Sequence, residues 1–516
     1  MFANPGSTEI PFLAGLPDDL RFVLGLHETA VVGMATGFAI GRGAPSLVLL
    51  HTTAGLGTAV GALATARVNR APLVVVVGQQ DRRHLAFEPF LAGRLAGLAG
   101  EYPVRVEQPA QAQDVPAAIE RAFHAAATAR GPALVIVPMD DWEEPAGEER
   151  EPAAASGPVL RATAAPPEAV DAVADFLAGA ASPAIVVGAG ADDPATWPAL
   201  VELAERLVAP VFQEPFGARA GFPQDHPLFA GVLSSDRGRL RDALAPYDAV
   251  LVVGAPVFRQ TGYVPGRFTE PGTRLAVLGD DPEEVHRSPA ELSVLASPAV
   301  VCRELVARVP ARDRPRPDPL RRPPAPAPPG PGEPLTASHV LAALAERLPR
   351  NAIVLEEAPV DRPEIHRRLP AREPLGYLSA AHGGLGFALP AAVGLRMALP
   401  KRPVVAIVGD GAALYGVHAA WSAVHYRAGP LLVVLSNGGY VVMDRLAERH
   451  GGAAPWPGFA DVEVATIARG FGCPARRISS HDELLAVLDE VVPTLADRDE
   501  PLLLDAVVAP TPEFSP

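Results

Sequence analysis

The sequence predicts an α/β protein of three doubly wound parallel sheets. β-Branched apolar runs alternate with alanine-rich helical stretches along the whole chain, the pattern of strands joined by crossover helices. One proline-dense segment and one softer break divide that alternation into three blocks. From Pro310 to Pro334, 11 of 25 residues are proline, so neither ladder nor helix forms and an extended, exposed spacer is expected. The softer break, rich in Glu, Ala and Pro, runs from Glu143 to Pro158. The expected blocks are residues 1–150, 158–309 and 335–516, with 310–334 as linker.

Composition narrows the function. The 516 residues are 48% apolar, enough for several full cores. Net charge is −15 with no Lys/Arg-rich stripe, which argues against nucleic acid as a partner. Cys302 and Cys473 stand far apart and give neither a disulfide framework nor zinc spacing, as in a reducing cytoplasm. No apolar run reaches membrane-spanning length and no leader pattern opens the chain, so a cytoplasmic protein with no membrane partner is expected.

In the first block, Arg21–Leu26, Ser46–Leu50 and Leu73–Val77 read as strands. In the second, Ala184–Val187, Ala249–Val253 and Leu275–Leu278 do. Gly188-Ala189-Gly190-Ala191-Asp192 follows the first of these, but the third glycine of a dinucleotide fingerprint is missing, which argues against a nucleotide or flavin there. In the third, Thr336 can cap a helix with Val340, Leu341, Leu344 and Leu348 on one face, leading into strand Ala352–Leu355.

The sharpest signal comes next. The run Val404–Val408 ends in Gly409-Asp410-Gly411, where the chain turns into a helix, and a second run, Leu431–Leu435, delivers Asn437, Gly438 and Gly439 to the same sheet edge. Ligands bind at the carboxyl ends of such strands. A carboxylate, an amide oxygen and a loop carbonyl are hard donors that suit Mg²⁺ or Ca²⁺ together with phosphate oxygens. Ordinary turn and capping roles are the alternative for Asp410 and Asn437.

With these residues in hand, the chain resembles the thiamine-diphosphate-dependent 2-oxo acid decarboxylases, most nearly the benzoylformate decarboxylases. The likeness rests on Gly409-Asp410-Gly411 with Asn437, on Asn4-Pro5-Gly6-Ser7, on Glu28 opening Glu28-Thr29-Ala30-Val31-Val32-Gly33, and on His51 after its strand. It includes Gly254-Ala255-Pro256-Val257-Phe258-Arg259 and the segment Gly383 to Pro390, and runs over almost the whole chain. It implies pyrimidine-binding, central and diphosphate-binding domains. It also implies a thiazolium ylide as the sink for the electron pair that departing CO₂ leaves, which no side chain accepts.

The resemblance assigns Glu28 to the aminopyrimidine ring, where a carboxyl kept protonated by a dry environment favours the imino tautomer. Without it, Glu28 reads as a helix N-terminal carboxylate. Asp410, Asn437 and the Gly439 carbonyl would hold the metal, with Gly411 and Ala412 amides on the diphosphate and Tyr440 beside them. Leu385 would wedge the two rings of the cofactor together, a plain core leucine being the alternative, and the Gly383 carbonyl would meet the aminopyrimidine. His51 would be a substrate-handling acid/base and Ser7 a partner of the substrate carboxylate; a structural histidine and a capping serine are the plainer readings. Phe90, Met443 and Leu446 would line an apolar pocket for a small 2-oxo acid. The two halves of one site would come from different subunits, making a homodimer the minimal active unit and a homotetramer the expected assembly.

Three departures stand out. Where the family has a second histidine, this chain has Thr261, no general acid at neutral pH; His382, not expected from the relatives, is a candidate for part of that role. Glu356-Glu357-Ala358-Pro359-Val360 lacks the hydroxyls expected near the diphosphate. The chain opens almost on Asn4-Pro5-Gly6-Ser7, so about 20 residues carrying a helix and part of a strand are expected to be absent; either the start codon is misplaced or the first domain is truncated with its sheet edge exposed. These leave competing readings: decarboxylation of a benzoylformate-like acid, carboligation, an acetolactate-synthase-like enzyme suggested by His27-Glu28, or a cofactor-binding pseudoenzyme.

Overall fold

A computed structural model describes residues 1–145, 159 and 162–511. It contains three parallel sheets of six strands each. The first holds β1 (Phe2–Asn4), β2 (Val23–Leu24), β3 (Ser46–Leu50), β4 (Leu73–Gln79), β5 (Arg105–Glu107) and β6 (Pro132–Pro138), in the order β2-β1-β3-β4-β6-β5. The second holds β7 (Pro183–Val187), β8 (Val211–Gln213), β9 (Phe229–Val232), β10 (Ala249–Val253), β11 (Arg274–Gly279) and β12 (Leu292–Leu295), in the order β12-β11-β10-β7-β8-β9. The third holds β13 (Ile353–Glu357), β14 (Tyr377–Ser379), β15 (Val404–Gly409), β16 (Leu431–Ser436), β17 (Ala475–Ile478) and β18 (Leu502–Val507), in the order β14-β13-β15-β16-β18-β17. Every residue of β4, β6, β7 and β10 is buried. Sheets covered on both faces need such unbroken apolar runs, which is why the runs were legible.

The described residues fall into two compact units. One comprises Met1–Leu160, His382–Tyr440 and Pro455–Val508; the other Arg161–Ala381, Val441–Ala454 and Ala509–Pro516. Most of the expected break at 143–158 lies outside the described residues.

Three expectations need correction. The strand expected over 21–26 shrinks to Val23–Leu24, because Arg21 and Leu26 are exposed and only this pair meets β1. β1 is an inner strand between β2 and β3, and the edge strand β2 is covered rather than exposed, its Leu24 N–H donating to Tyr426 Oη (2.7 Å) and its Leu24 carbonyl accepting from Ser422 Oγ (2.8 Å). The proline-rich segment is irregular but not a free spacer. Its arginines strap it down by donating to backbone carbonyls: Arg312 to Leu177 (2.6 Å) and Ala180 (2.5 Å), Arg314 to Val208 (2.7 Å), and Arg322 to Gln224 (2.7 Å) and Arg367 (2.8 Å).

At the switch point of the second sheet, between β7 and β10, glycines let backbone meet backbone. Gly190 N–H donates to the Gly254 carbonyl (2.8 Å) and Ala189 N–H to that of Gly217 (2.9 Å). Gly254 has φ +61°, and a Cβ there would stand 2.3 Å from the Ala191 nitrogen. The Gly-Ala-Gly fragment thus serves the chain's own packing.

The first compact unit turns on a helix crossing. Helix Glu28–Arg42 runs against helix Ala388–Ala398 with glycines at the contact. A Cβ on Gly33 would stand 2.8 Å from Pro390, one on Gly37 2.1 Å from the Ala391 oxygen, and one on Gly394 1.9 Å from the Met34 oxygen. Gly41 faces Ala398 in the same way. Residue numbers rise together along both helices, so they run parallel and their N-termini share one end. Helix axes approach this closely only where side chains vanish. Gly394→Ala is expected to cost about 1–3 kcal/mol in urea unfolding. Gly61→Ala, mid-helix with open space around its Cβ, should gain about 0.5–1 kcal/mol.

Candidate active site

Glu28 is the first residue of its helix and half-buried. Its Oε1 accepts a hydrogen bond from Asn4 Nδ2 at 2.9 Å. The Asn-Pro-Gly-Ser segment leaves β1 at Asn4, so the strand end and the helix start meet through this pair. The preceding His27 caps the helix, its Nδ1 accepting from Thr29 N–H at 3.2 Å.

His51 lies between β3 and helix Thr52–Val68. Its Nδ1 is 3.2 Å from both oxygens of Glu9 and 3.1 Å from Thr8 Oγ1. Glu9 and Thr8 are fully buried, and Glu9 also accepts from Gly6 N–H (2.8 Å) and the Thr8 hydroxyl. Ser7, by contrast, is exposed at the start of the Ser7–Glu9 turn. Sequence reasoning missed Glu9, Thr8 and the pairing of Asn4. A glutamate in a Ser-Thr-Glu turn reads as a surface residue, and no periodic signal marks it as buried.

Asp410 directly follows β15 and is 5% exposed. One oxygen accepts from Gly411 N–H at 2.8 Å, the other from Gly438 N–H at 2.6 Å. Burial raises its pKa from the ordinary value, against the pull of the Gly438 and Gly411 amides. Asn437 follows β16, and its Oδ1 accepts from Gly439 N–H at 3.1 Å. The turn roles set out for Asp410 and Asn437 are therefore real, yet both retain lone pairs. Among the described residues no cationic side chain pairs with Asp410, and no group of three His, Cys, Asp or Glu side chains could hold a metal. The expected donors use one carboxylate, one amide oxygen and one carbonyl. A dry carboxylate without a cation fits a hard divalent ion arriving with a diphosphate.

The helix expected after Gly411 is a single turn, Asp410–Ala413, and the Gly411 amide is committed to the Asp410 carboxylate. That amide is accordingly not free for an anion, which corrects one expectation. Gly411 instead clears space: a Cβ there would stand 2.7 Å from the Tyr440 ring, which packs edge-on against Phe459 at 4.9 Å.

Gly383 (φ +74°) and Gly386 (φ +88°) shape the loop before helix Ala388–Ala398. Leu385 between them is 37% exposed, so it is not a plain core leucine. His382 is exposed and meets Tyr102 edge-on at 5.9 Å. The parallel crossing puts this loop and Glu28 at the same end of the helix pair. Phe90 is 86% exposed, and its carbonyl accepts from Gln80.

In the other unit, Thr261 Oγ1 lies 3.3 Å from Ser235 Oγ, so its hydroxyl is engaged with another hydroxyl. Met443 and Leu446 lie on helix Val441–Arg449, three residues apart and on one face. Glu356 is buried and bonds Arg362 (2.6 Å), Tyr377 Oη (3.1 Å) and Ala358 N–H (2.8 Å). A carboxylate network thus occupies the place where hydroxyls were expected. Beside it, burial lowers the pKa of His366 to about 4.

Comparison with known proteins decides the lineage. Residues 1–97 match the N-terminal TPP binding domain of thiamine pyrophosphate enzymes, 170–305 the central domain and 363–506 the C-terminal TPP binding domain. A benzoylformate decarboxylase from Pseudomonas aeruginosa is 38% identical over 100% of this chain and 96% of its own. The chain belongs to the thiamine pyrophosphate enzyme family. Its fold is also that of a thiamine-diphosphate-dependent 4-hydroxybenzoylformate decarboxylase from Rhodococcus jostii RHA1, with TM-score 0.93, 33% identity and coverage of 99% and 96% of the two chains. A putative acetolactate synthase large subunit from Mycobacterium tuberculosis is more distant, 30% identical over 98% of this chain and 96% of its own. Within this thiamine pyrophosphate enzyme, Glu28 and His51 fall in the span matched by the amino-terminal binding domain, and Asp410, Asn437 and Gly439 in that matched by the carboxy-terminal one.

Proposed function

We propose that this protein decarboxylates benzoylformate or a similar 2-oxo acid to the aldehyde and CO₂. Full-length likeness to two decarboxylases of such acids supports the reading, and the observation that carries it is the pairing of Asn4 with Glu28 at a helix start. Thiamine diphosphate, when bound, supplies the electron sink that loss of CO₂ requires. Glu28 would hold a proton at its carboxyl against the pyrimidine half, with Asn4 fixing the carboxyl's direction. Leu385 would keep the rings together and the Gly383 carbonyl would take a hydrogen bond from the pyrimidine amine.

Asp410, Asn437 and the Gly439 carbonyl would bind Mg²⁺ or Ca²⁺ and neutralise the diphosphate, with Ala412 and Tyr440 alongside. The exposed Ser7 hydroxyl would receive the substrate carboxylate, and His51 would move a proton at the reacting carbon. Phe90, Met443 and Leu446 would supply an apolar wall suited to a phenyl ring. We place the domains at 1–150, 158–309 and 335–516, and the working assembly as a homodimer or a tetramer built from it. No helix among the described residues is long and apolar enough to cross a membrane.

The Thr261–Ser235 hydroxyl pair favours a second reading. With no acid at that position, ligation to an aldehyde would compete with protonation, and His382 would then set the balance.

CO₂ release from benzoylformate, assayed with thiamine diphosphate and Mg²⁺, is expected to be robust and to fall at least about 100-fold in Glu28→Gln. Silence across a panel of 2-oxo acids while the cofactor binds would overturn the proposal in favour of a pseudoenzyme. Removal of divalent ions with EDTA should release the cofactor, followed by equilibrium dialysis. Asp410→Ala should lose metal-dependent binding even with Mg²⁺ restored.

A further inference from the structure

We infer that Glu9 is the positioning residue of His51, fixing its tautomer and setting a carboxylate against its ring; the inference rests on the decarboxylase reading for its catalytic meaning. Glu9 is fully buried, and its oxygens receive Gly6 N–H, the Thr8 hydroxyl and His51 Nδ1. A carboxylate only accepts, so Nδ1 carries the hydrogen and Nε2 is left with its lone pair. No side chain or backbone group among the described residues bonds Nε2. The imidazole is therefore set to take a proton at Nε2 and return it, with the positive charge held against a carboxylate within 3.2 Å.

Two glycines show that this arrangement is built. Gly78, next to last in β4, sits where a Cβ would fall 1.6 Å from Glu9 Oε1 and 2.5 Å from Thr8 Oγ1. At Gly6 a Cβ would fall 2.1 Å from Cγ of the His51 ring. Gly6 has φ −129° and ψ −172°, extended backbone that any residue adopts, and Gly78 is an ordinary strand residue. Glycine is needed at both places for space, not conformation. One clears room for the carboxylate and the other for the ring.

Glu9 also accepts from Gly6 N–H, as a residue closing a turn does. A role confined to that turn predicts changes in stability alone. Glu9 is the one ionic partner of His51 among the described residues.

The test is the pH dependence of His51 modification by diethyl pyrocarbonate, which attacks neutral imidazole, read by peptide mass spectrometry on the full chain. In Glu9→Gln, with the near-UV circular dichroism retained, the midpoint should fall by about one pH unit or more. The same shift should appear in the pH profile of kcat/KM, with kcat falling about 10–100-fold. Glu9→Asp, which keeps the charge but draws it back, should lie between; if Glu9→Gln fails to fold, this variant decides. A midpoint unchanged in the folded variant or variants overturns the inference. The modification readout needs no turnover, so failure of the decarboxylase reading is told apart by a shifted midpoint in an inactive protein.

Discussion

The close crossing of helices Glu28–Arg42 and Ala388–Ala398 is the constraint on which the first compact unit depends. Gly33, Gly37, Gly41 and Gly394 remove every Cβ that would hold the axes apart. Because the helices run parallel, their N-termini emerge together. Glu28 stands at one, and the Gly383–Phe387 loop with Leu385 enters the other. The crossing thus links the two stretches of sequence, 360 residues apart, that carry the residues assigned to the cofactor's organic half.

A second local design repeats the same means at smaller scale. Gly6 and Gly78 are cut away so that His51 and Glu9 can occupy their Cβ positions. Gly411 makes room for Tyr440 in the same manner. In each case the glycine has no need of unusual backbone angles, and the volume it leaves is filled by a neighbouring side chain. At Gly254, Gly383 and Gly386 the reason differs: φ is positive and the loop itself requires glycine.

Much of this was legible in the sequence. Ser46–Leu50 and Ala249–Val253 are strands to the residue, because unbroken apolar runs leave no other face to bury. Asp410 and Asn437 could be placed at one sheet edge because each follows such a run. Thr261 showed its departure in the sequence, and the structure adds that its hydroxyl meets Ser235. What was not legible depends on contacts between distant segments. Arg21–Leu26 shortened to two residues because only those reach β1. The arginines that strap down the proline-rich segment answer carbonyls 45 to 135 residues away. Glu9 is accommodated by a glycine in β4, a strand distant in sequence but packed against it, and helix glycines at 33, 37 and 394 look like weak points until the partner helix is seen.

The most direct measurement is the rate at which bound thiamine diphosphate exchanges its C2 proton with D₂O, in the wild-type protein and in Glu28→Gln. If Glu28 activates the cofactor from its place at the helix start, exchange keeps pace with turnover in the wild type and slows at least about 100-fold in the variant. Equal exchange rates, with both proteins saturated by cofactor and Mg²⁺, would contradict the role given to Glu28 and the reading of the site built around it.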